Sequence, residues 1–505
     1  MTNPIIKSIN NSIIKVVGEF NYKQNSFFKL KNGLKAFLLS ATTTEAFLLV
    51  EKTNKDILVG EEIFEIENDK IDTYEEFFGH IIDIQGNILS SSKNIELNKF
   101  VAQGDIFAAA KKIYKRKKLN TQLPSGILGI DLFTPLGKGQ RELILGDRQT
   151  GKTSIALSFA INNKDDQNLR IIYASVGQKK NSLSEIYSII QDKNIAHKTM
   201  IITSDSDNSF ERFLSPYVAM AHAENLSSKG YDVLLIIDDL TKHADIYREI
   251  SLLIDRPVGR EAYPGDIFFM HSQLLERGGN FVDGGSITVL PIVETINEDI
   301  TAFIPSNIIS ITDGQLVTSK SLFNGGNIPA INYSLSVSRT GSSVQLFEIS
   351  QVSKKLYKIY NNYQKNIKLK DVKLNLSKTL STLFLQGELL EKFLIQSKFS
   401  FYNLVDIYLI SKIIEWNTIY KISELNIKEI SVFLKNIFAH NTTAKQLIKN
   451  FHKGLTINQN LLQDFISSVL NDFLEYKQIN TKLELKNKFI KLSKKEIESY
   501  KKEEE

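Results

Sequence analysis

A chain of 505 residues is long for one domain and comfortable for three, and 42% hydrophobic residues can build large cores, which excludes a disordered composition. Its 62 Lys and Arg against 57 Asp and Glu leave a formal charge of +5, without the concentrated basic face of a sequence-independent nucleic-acid binder. The absence of cysteine excludes disulfides, thiolate metal sites and cysteine nucleophiles, and no apolar run reaches the ~18 residues of a membrane-spanning helix.

The opening residues, MTNPIIKSINNSIIK, lack a long apolar stretch with a small-residue cleavage site, so no signal peptide is expected. The chain is expected in the cytoplasm, or at a membrane through partners. Residues 1–90 read as β-rich. The runs IIKVVGEF, KAFLLS, EAFLLVE, EIFEIE and GHIIDIQG are separated by turn-forming NYKQN, KNG, KTNKD and ENDK, a pattern of short strands that predicts a small β-barrel or sandwich. Residues 91–123 show no strand period and read as a linker. Its basic run KKIYKRKK, at 111–118, reads as solvated surface, with a phosphate-backbone or anionic-lipid contact as the alternative.

Pro124-Ser125-Gly126 then punctuates the entry to a new domain. Over residues 124–350 the apolar runs ELILG, RIIYAS, TMIITSD and DVLLIID alternate with helical stretches such as TSIALSFAINN and SLSEIYSIIQD, which predicts a parallel α/β sheet. Over residues 351–505 the stretches KTLSTLFLQGELLEKFLIQ, FYNLVDIYLISKIIEW and NQNLLQDFISSVLNDFLEYK carry apolar residues at helical period. An α-helical bundle is expected there, closed by a charged, frayed tail, KKEIESYKKEEE.

Gly146-Asp147-Arg148-Gln149-Thr150-Gly151-Lys152-Thr153 fits the phosphate-loop pattern G-x-x-x-x-G-K-[ST], between an apolar strand and a helix that Ser154 continues. The glycines let backbone N–H groups curl around phosphate oxygens, Lys152 brings a point charge to the β- and γ-phosphates, and the Thr153 hydroxyl is placed to ligate Mg²⁺. A second buried strand ends in Asp238-Asp239, and an acid at the carboxyl end of such a strand reaches the metal, so Asp238 is the expected Mg²⁺ partner. These residues predict a site for ATP or ADP with Mg²⁺. The seven histidines show no metal-ligand spacing, and His80 and His271 read as core or surface residues.

The strings GKGQRELILGDRQTGKTSIAL, VGQKK, REAYPGDIFFMHSQLLER, FIPSNIISITDGQ and PAINYSLSVSR, in this order, resemble the alpha subunit of F-type ATP synthases. The resemblance runs from about residue 12 to about 400 and continues more weakly beyond. It implies an N-terminal β-barrel, a RecA-like central P-loop domain and a C-terminal helical domain. It also implies a ring in which three alpha and three beta chains alternate around a gamma-like central shaft, held peripherally at the cytoplasmic face of the membrane. Where the catalytic beta subunit carries a glutamate, this chain has Gln178, a neutral amide that cannot act as a general base. The chain is therefore expected to bind nucleotide without hydrolysing it. Ser336-Val337-Ser338-Arg339 resembles the segment that projects an arginine finger into the beta site, and Gln396 matches one glutamine of the adenine pocket.

Several positions depart from the family. Ile328 stands where an arginine precedes Pro-Ala-Ile-Asn, and Gln396-Ser397-Lys398 keeps one glutamine of a Gln-x-Gln pair, so relaxed base selectivity is expected. The N-terminus is short for peripheral-stalk attachment, and the linker lacks a Pro-Gly-rich pattern. The departures fit drift in an AT-rich, reduced genome such as a mollicute's. They also fit an alpha-like subunit of a specialised rotary-type ATPase driving motility or secretion, with specialised accessory proteins. A hexameric nucleic-acid motor is the remote alternative, opposed by Gln178 and the long helical C-terminus; no nucleic-acid partner is expected.

Overall fold

The computed structural model describes residues 3–52, 56–66, 70–367, 378–418, 427–451 and 457–501. It forms two compact units. One comprises Met1–Leu123, Leu136–Asn324 and Ala330–Thr340; the other comprises Pro124–Pro135, Gly325–Pro329 and Gly341–Glu505.

The first unit begins with strands β1 (Ile5–Asn10), β2 (Ile13–Val17), β3 (Phe27–Leu30), β4 (Lys35–Ala41), β5 (Glu45–Val50) and β6 (Ile63–Ile66). They pair antiparallel in the order β1-β2-β5-β4-β3-β6. The sheet curls until its edges meet: Ile6 N–H donates to Glu61 O at 2.9 Å and Ile63 N–H to Pro4 O at 3.0 Å. Strands β2, β4 and β5 in the middle of the sheet bury three or more residues each, whereas the edge strands β1 and β6 bury one each. Ile14, Val16, Phe28 and Leu48 fill the curl, whereas Ile13, Phe27, Phe37 and Leu49 join the larger core of the α/β layer.

Strands β7 (Lys70–Tyr74), β8 (Ile81–Ile82) and β9 (Phe100–Asp105) follow. Here the sequence reading is corrected: β9 lies inside the stretch read as a strandless linker and pairs antiparallel with β7. FVAQGD carries one buried apolar residue, so no period announces it. Tertiary contacts make the strand: Arg277 donates to the carbonyl of Ile106 at 2.6 Å, and Asn225 donates to Ile71 O of β7 at 3.0 Å. The basic run is largely solvated, as read, but Arg116 within it is held. Arg116 bridges Phe281 in β fashion, its Nη1 donates to Gly278 O at 2.8 Å, and its guanidinium lies 5.6 Å over the Phe281 ring.

The central sheet adds β10 (Leu143–Gly146), β11 (Leu169–Ser175), β12 (Thr199–Thr203), β13 (Asp232–Asp238), β14 (Gly279–Asn280), β15 (Ser286–Glu294), β16 (Gly314–Val317) and β17 (Val337–Ser338). Its order is β17-β16-β10-β15-β13-β11-β12-β8, with β14 beside β15. All pairs are parallel except β16 with β17 and β14 with β15. β11, β13 and β15 are buried nearly throughout, as strands covered on both faces must be.

The helices are α1 (Leu128–Phe133), α2 (Lys152–Asn162), α3 (Lys180–Asp192), α4 (Ser209–Ser228), α5 (Leu240–Leu253), α6 (Ile267–Leu275), α7 (Phe303–Ile311) and α8 (Lys320–Asn324). They continue with α9 (Phe347–Asn366), α10 (Lys378–Leu394), α11 (Leu404–Glu415), α12 (Ile427–His440), α13 (Thr442–Ile448), α14 (Gln459–Tyr476) and α15 (Lys494–Tyr500). The helical periods read at 378–396, 401–416 and 458–477 correspond to α10, α11 and α14. Short α1 belongs to the second unit, where Phe133 packs on Tyr357 and Tyr360 of α9. The tail helix α15 is held by a Ser493/Glu496 capping box and buries Ile497; residues 502–505 of the expected tail lie outside the described residues. Among the described residues, no helix is long and apolar enough to cross a membrane.

Candidate functional site

The phosphate loop leaves β10 at Gly146 and enters α2 at Gly151, the chain order the motif requires. Gly151 has φ +88°, the left-handed conformation glycine adopts without strain. Among the described residues, no side chain caps α2, so its first-turn N–H groups remain for a ligand. By contrast, side chains of Asn208 and Asp239 cap α4 and α5.

Lys152 is buried and curls back over the loop, donating to Gly146 O at 2.8 Å and Asp147 O at 2.6 Å. Burial lowers its pKa, and Glu294, Asp239, Asp238 and Asp147 oppose that shift. The loop is braced from β16 and from the segment after β15. Thr150 Oγ1 lies 2.6 Å from Thr318 Oγ1, and Thr295 Oγ1 and Glu298 N–H donate to Asp147 Oδ1 at 2.7 and 2.9 Å. Burial tends to raise the Asp147 pKa, but these two hydrogen bonds hold it below the usual range. Arg148 reaches outward and pairs with Glu294 at 3.0 Å, and Gln149 adopts φ +62° at the bend.

The acid at the end of β13 meets the loop as expected. Thr153 Oγ1 donates to Asp238 Oδ2 at 2.7 Å. Both are hard oxygen donors beside the uncapped end of α2, a donor set that would suit Mg²⁺. Tyr173 on β11, which sequence reasoning missed, donates to the same Oδ2 at 2.6 Å. The only sequence signal for it is an aromatic hydroxyl in an otherwise apolar strand. Gln178 sits above, with Nε2 3.3 Å from Tyr173 Oη and 3.4 Å from Asp238 O. Its Oε1 is buried and without a partner among the described residues, an acceptor that a ligand or water would satisfy. The neighbouring Asp239 is pushed up to about 7 by burial, with Lys242 opposing the shift and Asp238 adding to it.

Two further expected residues come from other elements. Arg339 follows edge strand β17, whose register sets Ser338 opposite Gly314, at the amino end of β16. The phosphate loop touches the other end of β16, at Thr318. Arg339 N–H binds Asp313 O at 2.8 Å, and the five steps from residue 313 to 318 correspond to about 16 Å of extended chain. Arg339 is exposed and is not brought to the phosphate loop of its own chain. Gln396 is buried in the second unit with its amide engaged by backbone: Nε2 donates to Gly126 O at 2.8 Å, and Oε1 accepts from Leu128 N–H at 3.1 Å. Its own N–H binds the carbonyl of Ile328, a residue 43% exposed. His271, expected in the core or at the surface, is fully buried with its Nε2 3.3 Å from His243 Nδ1; burial pushes its pKa down to about 3.

Residues 126–338 match the nucleotide-binding domain of the ATP synthase alpha/beta family. Over 487 residues, 95% of this chain and 94% of the relative, the sequence is 42% identical to ATP synthase subunit alpha 2 of Mycoplasmopsis pulmonis. It is 41% identical over 363 residues to ATP synthase subunit alpha of Mycoplasmopsis agalactiae, covering 70% of this chain and 67% of that one. It is 43% identical over 328 residues to ATP synthase subunit alpha 1 of Listeria monocytogenes, covering 64% and 65%. With a phosphate loop of the required geometry and a likeness that spans almost its full length, the chain belongs to the ATP synthase alpha-subunit family.

Proposed function

We propose that this chain is the nucleotide-binding, non-catalytic alpha-type subunit of an F-type ATPase. It alternates with a beta-type catalytic subunit in a hetero-hexamer around a gamma-like shaft, and reaches the membrane only through the assembled complex. Lys152 and the uncapped N-terminus of α2 hold the phosphates of ATP or ADP, and Thr153 and Asp238 would hold Mg²⁺. When bound, that ion would supply positive charge against the phosphate oxygens. Gln178 stands where a base would act, and its amide orients a ligand or water but takes no proton. Gln396 is proposed for the adenine end, although its amide also serves the Gly126 and Leu128 backbone.

The observation that carries this reading is the placement of Arg339. It is exposed on the edge strand, at the end of the sheet remote from its own phosphate loop. There it is free to serve a neighbouring subunit, where a guanidinium suits the charge spreading over a transferring phosphoryl group. Replacing Arg339 by Ala in the assembled complex should cut ATP turnover by about 10³–10⁵-fold. Binding of a fluorescent ATP analogue to this chain should be unchanged. Parental turnover by the Arg339→Ala complex would overturn the role.

A second reading, an alpha-like subunit of a specialised ATPase driving motility or secretion, is favoured by the near-full-length likeness to a subunit named alpha 2, together with Ile328 and Lys398. Purifying the native complex separates the two. Proton-channel and peripheral-stalk subunits travelling with this chain support ATP synthesis or proton pumping; unfamiliar large proteins without a proton channel support the specialised motor.

A further inference from the structure

The residues flanking Arg339 are held from the strand that carries the phosphate loop. Gln140 is fully buried just before β10. Its Nε2 donates to Ser338 Oγ at 3.0 Å and to Glu142 Oε2 at 2.7 Å, and its Oε1 accepts from Thr340 Oγ1 and from Gly137 N–H. The hydroxyls on either side of Arg339 also lie 3.1 Å from each other. Between these two contacts, Arg339 N–H binds Asp313 O, and the Asp313 carboxylate is gripped by Arg141 through Nε at 3.0 Å and Nη2 at 2.7 Å.

Beneath this clamp lies Glu142, 1% exposed, whose Oε1 has no partner among the described residues. A buried carboxyl with an orphan oxygen costs stability, and the phosphate loop makes no use of it. Gly314 of β16 closes over it so tightly that an added Cβ would lie 2.6 Å from Glu142 Oε2. Burial raises the Glu142 carboxyl well above its ordinary range; the Gln140 hydrogen bond opposes that shift, Asp313 adds to it, and the Arg339 charge opposes it.

We propose that Gln140 and Glu142 are positioning residues for Arg339: the Gln140 amide, aligned by Glu142, clamps Ser338 and Thr340 and so aims the guanidinium between them at the neighbouring subunit. This rests on the reading of Arg339 as a finger acting in trans. Displacing a catalytic group by about 1 Å costs up to about a hundredfold in rate. The clamp is made of weak contacts at both neighbours of one residue, which fixes direction better than it adds stability.

The test uses full-length variants assembled with their catalytic partner, reading kcat and KM for ATP. Gln140→Met, which keeps volume but removes the amide, should lower kcat about tenfold to a hundredfold and leave KM within about twofold. In the double variant with Arg339→Ala it should add nothing to the loss caused by Arg339→Ala alone. Glu142→Gln still offers Gln140 an acceptor and should turn over near the parental rate, whereas Glu142→Leu should match Gln140→Met. If Gln140→Met prevents assembly, Thr340→Val cuts one arm of the clamp at a partly exposed site and should show a smaller loss with the same non-additivity. Parental kcat for the clamp variants in a complex that Arg339→Ala inactivates would overturn the positioning role alone. Multiplicative losses in the double variant would overturn it too. Parental turnover by Arg339→Ala itself would instead remove the finger reading on which the role stands.

Discussion

An added Cβ at Gly146 would lie 2.0 Å from Thr318 Oγ1 and 2.6 Å from the Thr318 carbonyl oxygen, on backbone with φ +152°. The second of those atoms belongs to the β16 line and cannot swing aside. Gly146→Ala should therefore displace the loop from Thr318, lower unfolding free energy by about 2–3 kcal/mol and weaken ATP binding at least tenfold. A urea titration and an ATP-binding curve check it, and unchanged affinity would mean that the loop tolerates the shift. The motif made the glycines, Lys152 and Thr153 legible because its spacing is itself the geometry of a strand, a turn and a helix, and the acidic end of a second apolar strand pointed to Asp238. Tyr173 was not legible: nothing in RIIYAS says that its hydroxyl would share Asp238 Oδ2 with Thr153. Thr295 and Thr318 were equally silent, since their role depends on where strands distant in sequence end.

At the scale of elements, the long apolar strands and helices announce themselves by pattern, and β9 does not. Its ordering depends on Arg277, one of the largest fully buried side chains of the chain. From the end of α6 its guanidinium binds Glu224 of α4 at 3.1 and 2.7 Å and the carbonyl of Ile106 just past β9. One residue thus ties helix to helix and both to a strand that propensity alone would not form. Replacing it by Met strands the Glu224 carboxylate and a carbonyl in an apolar setting, so Arg277→Met should cost about 3–5 kcal/mol of stability. Adding Glu224→Gln should restore only part of that loss, because the Ile106 carbonyl stays unpaired. Urea unfolding of the single and double variants measures the coupling, and strict additivity would show that the pair acts separately. The same dependence explains why residues 91–123 read as featureless: β9 takes its ladder from β7, and the side chains that brace the stretch at Ile106 and Arg116 meet partners more than a hundred residues further on.

For the whole molecule, the division into two compact units gives the nucleotide site a definite thermodynamic address. Every residue that holds phosphate or metal in the proposed site belongs to the first unit, and Gln396 belongs to the second. A ligand stabilises only the species that binds it, by about 2.7 kcal/mol at roughly a hundredfold excess over Kd. Mg-ATP should thus raise the unfolding transition of the first unit by about 4 °C for a cooperative unit of this size, and chelating the metal should remove part of the gain. Gln396→Ala should behave in the opposite sense. It leaves Leu128 N–H and Gly126 O without their buried partner, at a cost of about 1–3 kcal/mol to the second unit. ATP affinity should be unaltered if the amide serves the backbone and not the base. Differential scanning calorimetry with and without Mg-ATP, paired with a binding curve for each variant, separates the two. A loss of affinity in Gln396→Ala, with the second transition unmoved, would place that residue in the adenine pocket and make Lys398 the altered half of it.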